Sequence, residues 1–186
     1  MGIPVREHTI EQVEARLGSM NTALNKINYL ESVSVVSGLD LETKRFVWKS
    51  LSDLYVERKM FERAAKSMAS KAGVEVTSKD RIDSYITAAE LYAKAGKVDD
   101  ADNMFVRAIR DINPQDKVRV VLARKNIYLA SAKDLESKGR KASAVKFYEK
   151  LLKMNLEDFE KKEIKFKLVN TYKALGMFRE ARMLEG

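Results

Sequence analysis

One frame recurs four times along the chain, and it limits the possible fold more than any other feature. It is centred on Ala64, Ala101, Ala144 and Ala181. Nine residues before each alanine stand Tyr55, Tyr92, Leu135 and Tyr172, and five before stand Lys59, Gly96, Gly139 and Gly176. Ser52, Ala89, Ala132 and Val169 lie twelve before. Met68, Phe105 and Tyr148 lie four after, where the fourth copy has Glu185. A glycine just past a run of helically spaced apolar residues suits the left-handed residue that ends a helix. Residues 85–92 have that spacing before the glycine, and residues 101–109 have it after. Each copy therefore predicts helix, tight turn, helix. The small residue lets two helix backbones approach, and neighbouring units must stack to bury both faces.

These residues carry a likeness. Trp48-x2-Leu51-x3-Tyr55 with Ala64, and Tyr85 through Tyr92-x3-Gly96, Ala101, Phe105 and Ala108 followed by Pro114, resemble the tetratricopeptide repeat. The resemblance covers residues 45–186, strongest in the second copy, fair in the first and fourth, and weaker in the third. It implies an all-α, right-handed α-solenoid of antiparallel helical hairpins whose concave side binds peptides or proteins, and it does not imply an enzyme. The copies would span about 45–78, 79–114, 115–156 and 157–186. Successive alanines are 37, 43 and 37 residues apart, against 34 in the regular family. The likeness is therefore to irregular members of the vesicle-fusion attachment-protein (SNAP) variety.

The longer third copy opens on Asn113-Pro114, an N-cap residue followed by proline at the first helical position. A helix from there to Lys138 would project beyond its neighbours by more than a turn.

Residues 1–44 fall outside the frame. Thr9 and Gln12 form a capping box. Ile10, Val13, Leu17, Met20, Leu24 and Ile27 then follow at coiled-coil spacing. Two readings stay open: a helix or helical hairpin capping the solenoid, or a homodimer seam through Leu17, Met20, Leu24 and Ile27.

The charge is unevenly placed. Residues 1–100 hold 15 Lys and Arg against 15 Asp and Glu; residues 101–186 hold 20 against 12, the whole net charge of +8. Such a half is either a solvated face or a contact surface for RNA, a ribonucleoprotein or an acidic protein. With no cysteine and a single histidine, His8, thiolate metal sites, disulfides and paired-imidazole chemistry are excluded. No phosphate-binding loop or nucleophile elbow is present. Asp99-Asp100 and Glu157-Asp158 read as helix starts. Trp48, Tyr128 and Tyr148 read as core, with base stacking the lesser alternative for the two tyrosines. Neither a cofactor nor a metal is expected. The start lacks a leader's apolar stretch and no run spans a membrane, so the expectation is a soluble, cytoplasmic chain.

Chaperone-binding members of the resembled family clamp a terminal carboxylate with Lys and Asn on the first helix of each hairpin. The matching positions here are Asp53 and Lys49, Glu90 and Ile86, Lys133 and Leu129, Asn170 and Phe166, a pattern unlike that clamp. Ile86, Leu129 and Phe166 instead suggest an apolar strip for a partner helix, or simple packing by the irregular solenoid. Lys133, Lys146, Lys150, Lys153, Lys161 and Lys165 suggest contacts to an anionic partner. The leading expectation is a non-enzymatic scaffold for another protein. The alternatives are a ribosome- or RNA-associated factor using those lysines, and a self-assembling architectural protein held by the N-terminal seam.

Overall fold

The computed structural model describes residues 6–110 and 112–185. Residues 1–5, where a leader would start, lie outside the described residues. Among the described residues the chain forms ten α-helices and no strand. They are α1 (Ile10–Gly18), α2 (Ala23–Ser34), α3 (Leu41–Glu57), α4 (Phe61–Ala72), α5 (Ser78–Lys94), α6 (Val98–Ala108), α7 (Pro114–Ser137), α8 (Lys141–Leu152), α9 (Asp158–Ala174) and α10 (Phe178–Glu185). They fall into two compact units, Met1–Ile112 and Asn113–Gly186. In the first unit α2 packs on α3, α3 on α4, α4 on α5 and α5 on α6. In the second, α7 packs on α8, α8 on α9 and α9 on α10.

The recurring frame builds one turn four times. Lys59, Gly96, Gly139 and Gly176 have φ of +57°, +75°, +71° and +74°, the left-handed conformation expected at the end of a helix. The next N–H reaches back to the carbonyl of the residue nine before the alanine. Met60 donates to Tyr55 and Arg140 to Leu135, both at 2.8 Å; Lys97 donates to Tyr92 and Met177 to Tyr172, both at 2.9 Å. That donor residue also opens the second helix, because its carbonyl accepts from the repeat alanine: Ala64 to Met60 at 3.1 Å, Ala101 to Lys97 at 3.0 Å, Ala144 to Arg140 at 3.2 Å and Ala181 to Met177 at 3.1 Å. All four alanines are fully buried. One turn residue thus ends one helix and starts the next, and the small methyl side chain on each alanine allows close packing behind it.

The first helices of the hairpins begin differently, on side-chain caps. Asp40, Thr77 and Asn113 accept from the backbone N–H groups of Thr43, Asp80 and Asp116, and Glu157 with Glu160 forms a capping box. α7 runs 24 residues, about 36 Å, as Asn113-Pro114 implies. Between α4 and α5, the Glu75 side chain is 5% exposed. It pairs with Lys71 and lies 3.8 Å from Arg45, while Arg45 donates to the Val74 carbonyl at 3.3 Å. The chain leaving α4 is thereby tied to α3.

The N-terminal apolar series departs from its coiled-coil reading, because no single helix carries it. α1 stops at Gly18, and the Ser19 N–H folds back to the Ala15 and Arg16 carbonyls at 3.3 and 3.2 Å. Thr22 then caps a new helix by accepting from Asn25. Glycine weakens the helix interior and threonine competes for the backbone as a cap. The capping box of Thr9 and Gln12 is present. Val13 and Ile27 are buried, Leu17 and Met20 half-buried, and Leu24 exposed, so these residues form no continuous stripe.

A β-carbon added at Gly139 meets nothing within 4 Å. Gly139→Ala therefore tests the turn conformation alone. Left-handed strain of about 1–2 kcal/mol, partly offset by a stiffer unfolded chain, should cost about 1 kcal/mol of stability. Urea unfolding should show a lower midpoint at unchanged slope; an unchanged midpoint would contradict a turn that requires positive φ.

Candidate interaction surface on the second unit

In the second unit the first helices of two hairpins, α7 and α9, are joined at two points, midway along α7 and near its end. The Lys125 ammonium donates to Glu160 at 2.7 Å, and the Thr171 hydroxyl donates to Glu136 at 2.9 Å. Both links join residues 35 apart in sequence, so the helices run parallel in one register. α8 closes the other side. The Tyr148 hydroxyl donates to the second Glu136 oxygen at 2.7 Å, and Tyr172 on α9 donates to Glu149 at 2.6 Å. Tyr128 meets Phe147 edge-on, with ring centres 5.5 Å apart, and the Arg124 guanidinium lies 5.6 Å over the Tyr128 ring. Tyr128 and Tyr148 are fully buried, so both are core and neither offers a face to a base.

Burial and the nearby carboxylates raise the phenols. Tyr29 and Tyr55 in the first unit are pushed up to about 12, in each case chiefly by burial. Burial, reinforced by Glu136 and Glu149 respectively, raises Tyr148 and Tyr172 as well.

Large apolar side chains recur at the surface of this helix pair. Leu129 on α7 and Phe166 on α9 occupy the same position in their repeats; Leu129 is half-buried and Phe166 is 67% exposed. Leu122 and Phe159 share another repeat position, two turns earlier, and are 51% and 71% exposed. Phe159 and Leu122 are missing from the sequence reading, although they stand twenty-two residues before Ala181 and Ala144. Ile86 lies half-buried on α5, in the first unit. On α10, Phe178 and Met183 are also exposed.

The predicted lysines are spread over the unit. Lys133 is exposed on α7, Lys146 on α8 and Lys153 at the end of α8; Lys150, Lys161 and Lys165 are half-buried. Lys161 and Lys165 share α9 with Phe159 and Phe166. The charge asymmetry coincides with the division into units: Asn113–Gly186 holds 18 Lys and Arg against 10 Asp and Glu, so the net charge of +8 belongs to the second unit and the first is neutral. Among the described residues no group of His, Cys, Asp or Glu could hold a metal ion, and no helix is long and apolar enough to cross a membrane.

Residues 126–158 match the family model of the tetratricopeptide repeat. No curated protein matches the chain. The matched stretch is the third copy, where the sequence likeness is weakest. It begins twelve residues inside α7 and ends at the first residue of α9. The extra turns at the front of α7 obscure the third copy in the sequence, since they lengthen the interval from Ala101 to Ala144.

Neutral buried phenols make stability sensitive to alkali. A phenol raised on folding contributes stability that is complete below its unfolded value near 10 and is lost as pH rises through the folded value. Stability should hold to about pH 10 and fall between pH 10 and 12, with phenolate absorbance rising as helical circular dichroism is lost. Complete tyrosine ionisation near pH 10 with the helices intact would contradict this arrangement.

Proposed function

We propose that this tetratricopeptide-like helical repeat protein is a non-catalytic interaction scaffold that holds a protein partner on the apolar outer face of α7 and α9. The observation that carries the reading is the repeated exposure of large apolar side chains at equivalent positions of two parallel helices, where a folded chain gains nothing by leaving them in water. Leu129 and Phe166 are its apolar contacts. Lys133, Lys161 and Lys165, with Lys146, Lys150 and Lys153 on and after α8, attract an acidic partner and set its orientation more than they add affinity. Ile86 serves as an apolar contact of the first unit. Tetratricopeptide repeats are generally interaction modules without catalytic activity, and that family habit supports the reading.

A second reading has its own observation. Phe159 and Phe166 alternate on α9 with Lys161, Lys162 and Lys165, a pattern of rings and cations that suits single-stranded RNA, on or off the ribosome. Within the first unit, α2 covers α3 and is assigned the role of a cap; Leu17, Met20 and Leu24 are what a homodimer would use.

The readings part on salt and on substitution. A protein partner held by apolar contact should stay bound when salt rises from about 50 to 200 mM, whereas phosphate contacts made by several lysines lose affinity by orders of magnitude. Leu129→Glu with Phe166→Glu should release the partner at both concentrations, and nuclease treatment should leave the wild-type capture unchanged. Capture that nuclease abolishes, or that Lys161→Glu with Lys165→Glu removes while the apolar pair of changes does not, would transfer the function to RNA.

A further inference from the structure

α7 is twice as long as the helix it pairs with, 24 residues against 12 for α8. Its first twelve residues, about 18 Å, precede the matched repeat, which begins at Asn126. This overhang is capped at its start. Asn113 accepts from the Asp116 N–H at 2.8 Å, Pro114 occupies the first turn, and Arg119 pairs with Asp116 at 3.6 Å. Its two faces differ. Val120 is buried, while Val118, Val121 and Leu122 are 69%, 41% and 51% exposed. These three side chains share one stripe at helical spacing. They form one wall of a cleft of about 500 Å³ whose other wall is Met154, Asn155 and Leu156 from the α8–α9 loop. Lys117 and Lys125 also line it.

We propose that this cleft is a docking groove for an amphipathic helix of a partner protein, apolar on one side and acidic along its edges. The proposal rests on the scaffold reading and adds a second contact to it. The apolar walls require an apolar stripe on the occupant. The edges favour acid, because Lys117 borders the groove, Lys153 precedes Met154, and the unit as a whole carries +8; Lys125, also in the lining, is already paired with Glu160. A cleft whose lining has no aromatic side chain gives bases nothing to stack on, which favours protein over nucleic acid. The overhang is already helical and capped, so binding orders little of this side of the complex. Three exposed turns of α7 match three or four turns of a partner helix, the usual scale for a helix in a groove.

The test uses the full chain and a fluorescent peptide of about 14 residues, with leucines at helical spacing and glutamates at the flanking positions. Two controls carry lysines at the flanks or the same acidic composition in scrambled order. Anisotropy should show the acidic helix binding at least about tenfold tighter than either control, the usual cost of a misplaced apolar anchor. Val118→Glu with Leu122→Glu should lower that affinity by at least about tenfold, and Lys117→Glu should lower both affinity and its salt dependence. The milder pair Val118→Ser with Leu122→Ser should act in the same direction, and all variants should melt as the wild type does, since these side chains are exposed. Phe166→Glu should leave peptide binding unchanged. Equal binding of the scrambled peptide, or insensitivity to the Val118 and Leu122 changes, would overturn the proposal. So would a sedimenting dimer that those changes split, which gives the groove to a second copy, or a single-stranded RNA probe that the same changes release. Failure of the peptide with Phe166-dependent partner capture intact would remove the groove and keep the scaffold.

Discussion

The structure depends on a turn in which one backbone residue crosses to positive φ and the chain reverses within three residues. The reversal is possible because the helix-ending carbonyl of Tyr55, Tyr92, Leu135 or Tyr172 takes back the N–H of the residue that starts the next helix. It is useful because the alanine one turn later has only a methyl group, too small to hold the two helices apart. Three of the four positive-φ positions are glycine, which adopts that conformation without strain. Lys59 adopts it at φ +57°, at a cost of about 1–2 kcal/mol. The turn is therefore fixed by packing on both sides as well as by residue type.

From that constraint follows a division of labour between the helices. The second helix of each hairpin brings its alanine into the interior, and in the second unit the first helices keep large apolar side chains exposed. There Leu122, Leu129, Phe159 and Phe166 lie among lysines. The surplus of positive charge keeps such a surface dissolved and disfavours close association of identical copies. On the proposed surface it would also select against basic partners by repulsion, so that apolar contact would hold a partner and charge would choose it.

The hairpins were legible because their signals are local and strong. Gly96, Gly139 and Gly176 mark the turns and Asn113-Pro114 marks the start of α7. Two readings were less secure for identifiable reasons. The spacing from Ile10 to Ile27 satisfies a heptad, but heptad spacing does not register that Thr22 can win the backbone from a helix already weakened at Gly18. The third copy hid its likeness behind a first helix seven residues longer than those of the other three. Phe159 and Val118 escaped notice because an apolar residue at helical spacing looks the same whether a neighbour covers it or not.

By itself the sequence determined where the four repeat hairpins turn, which residue must be small, and that the positive charge lies in the later half of the chain. These are properties of single residues and of their spacing within one turn, and no distant contact is needed to state them. Only the tertiary structure decided that α7 and α9 lie parallel in one register, and that Val118, Leu122 and Phe166 remain uncovered. Burial is a relation between segments far apart in the chain, and a side chain's own identity does not specify which surface will meet it.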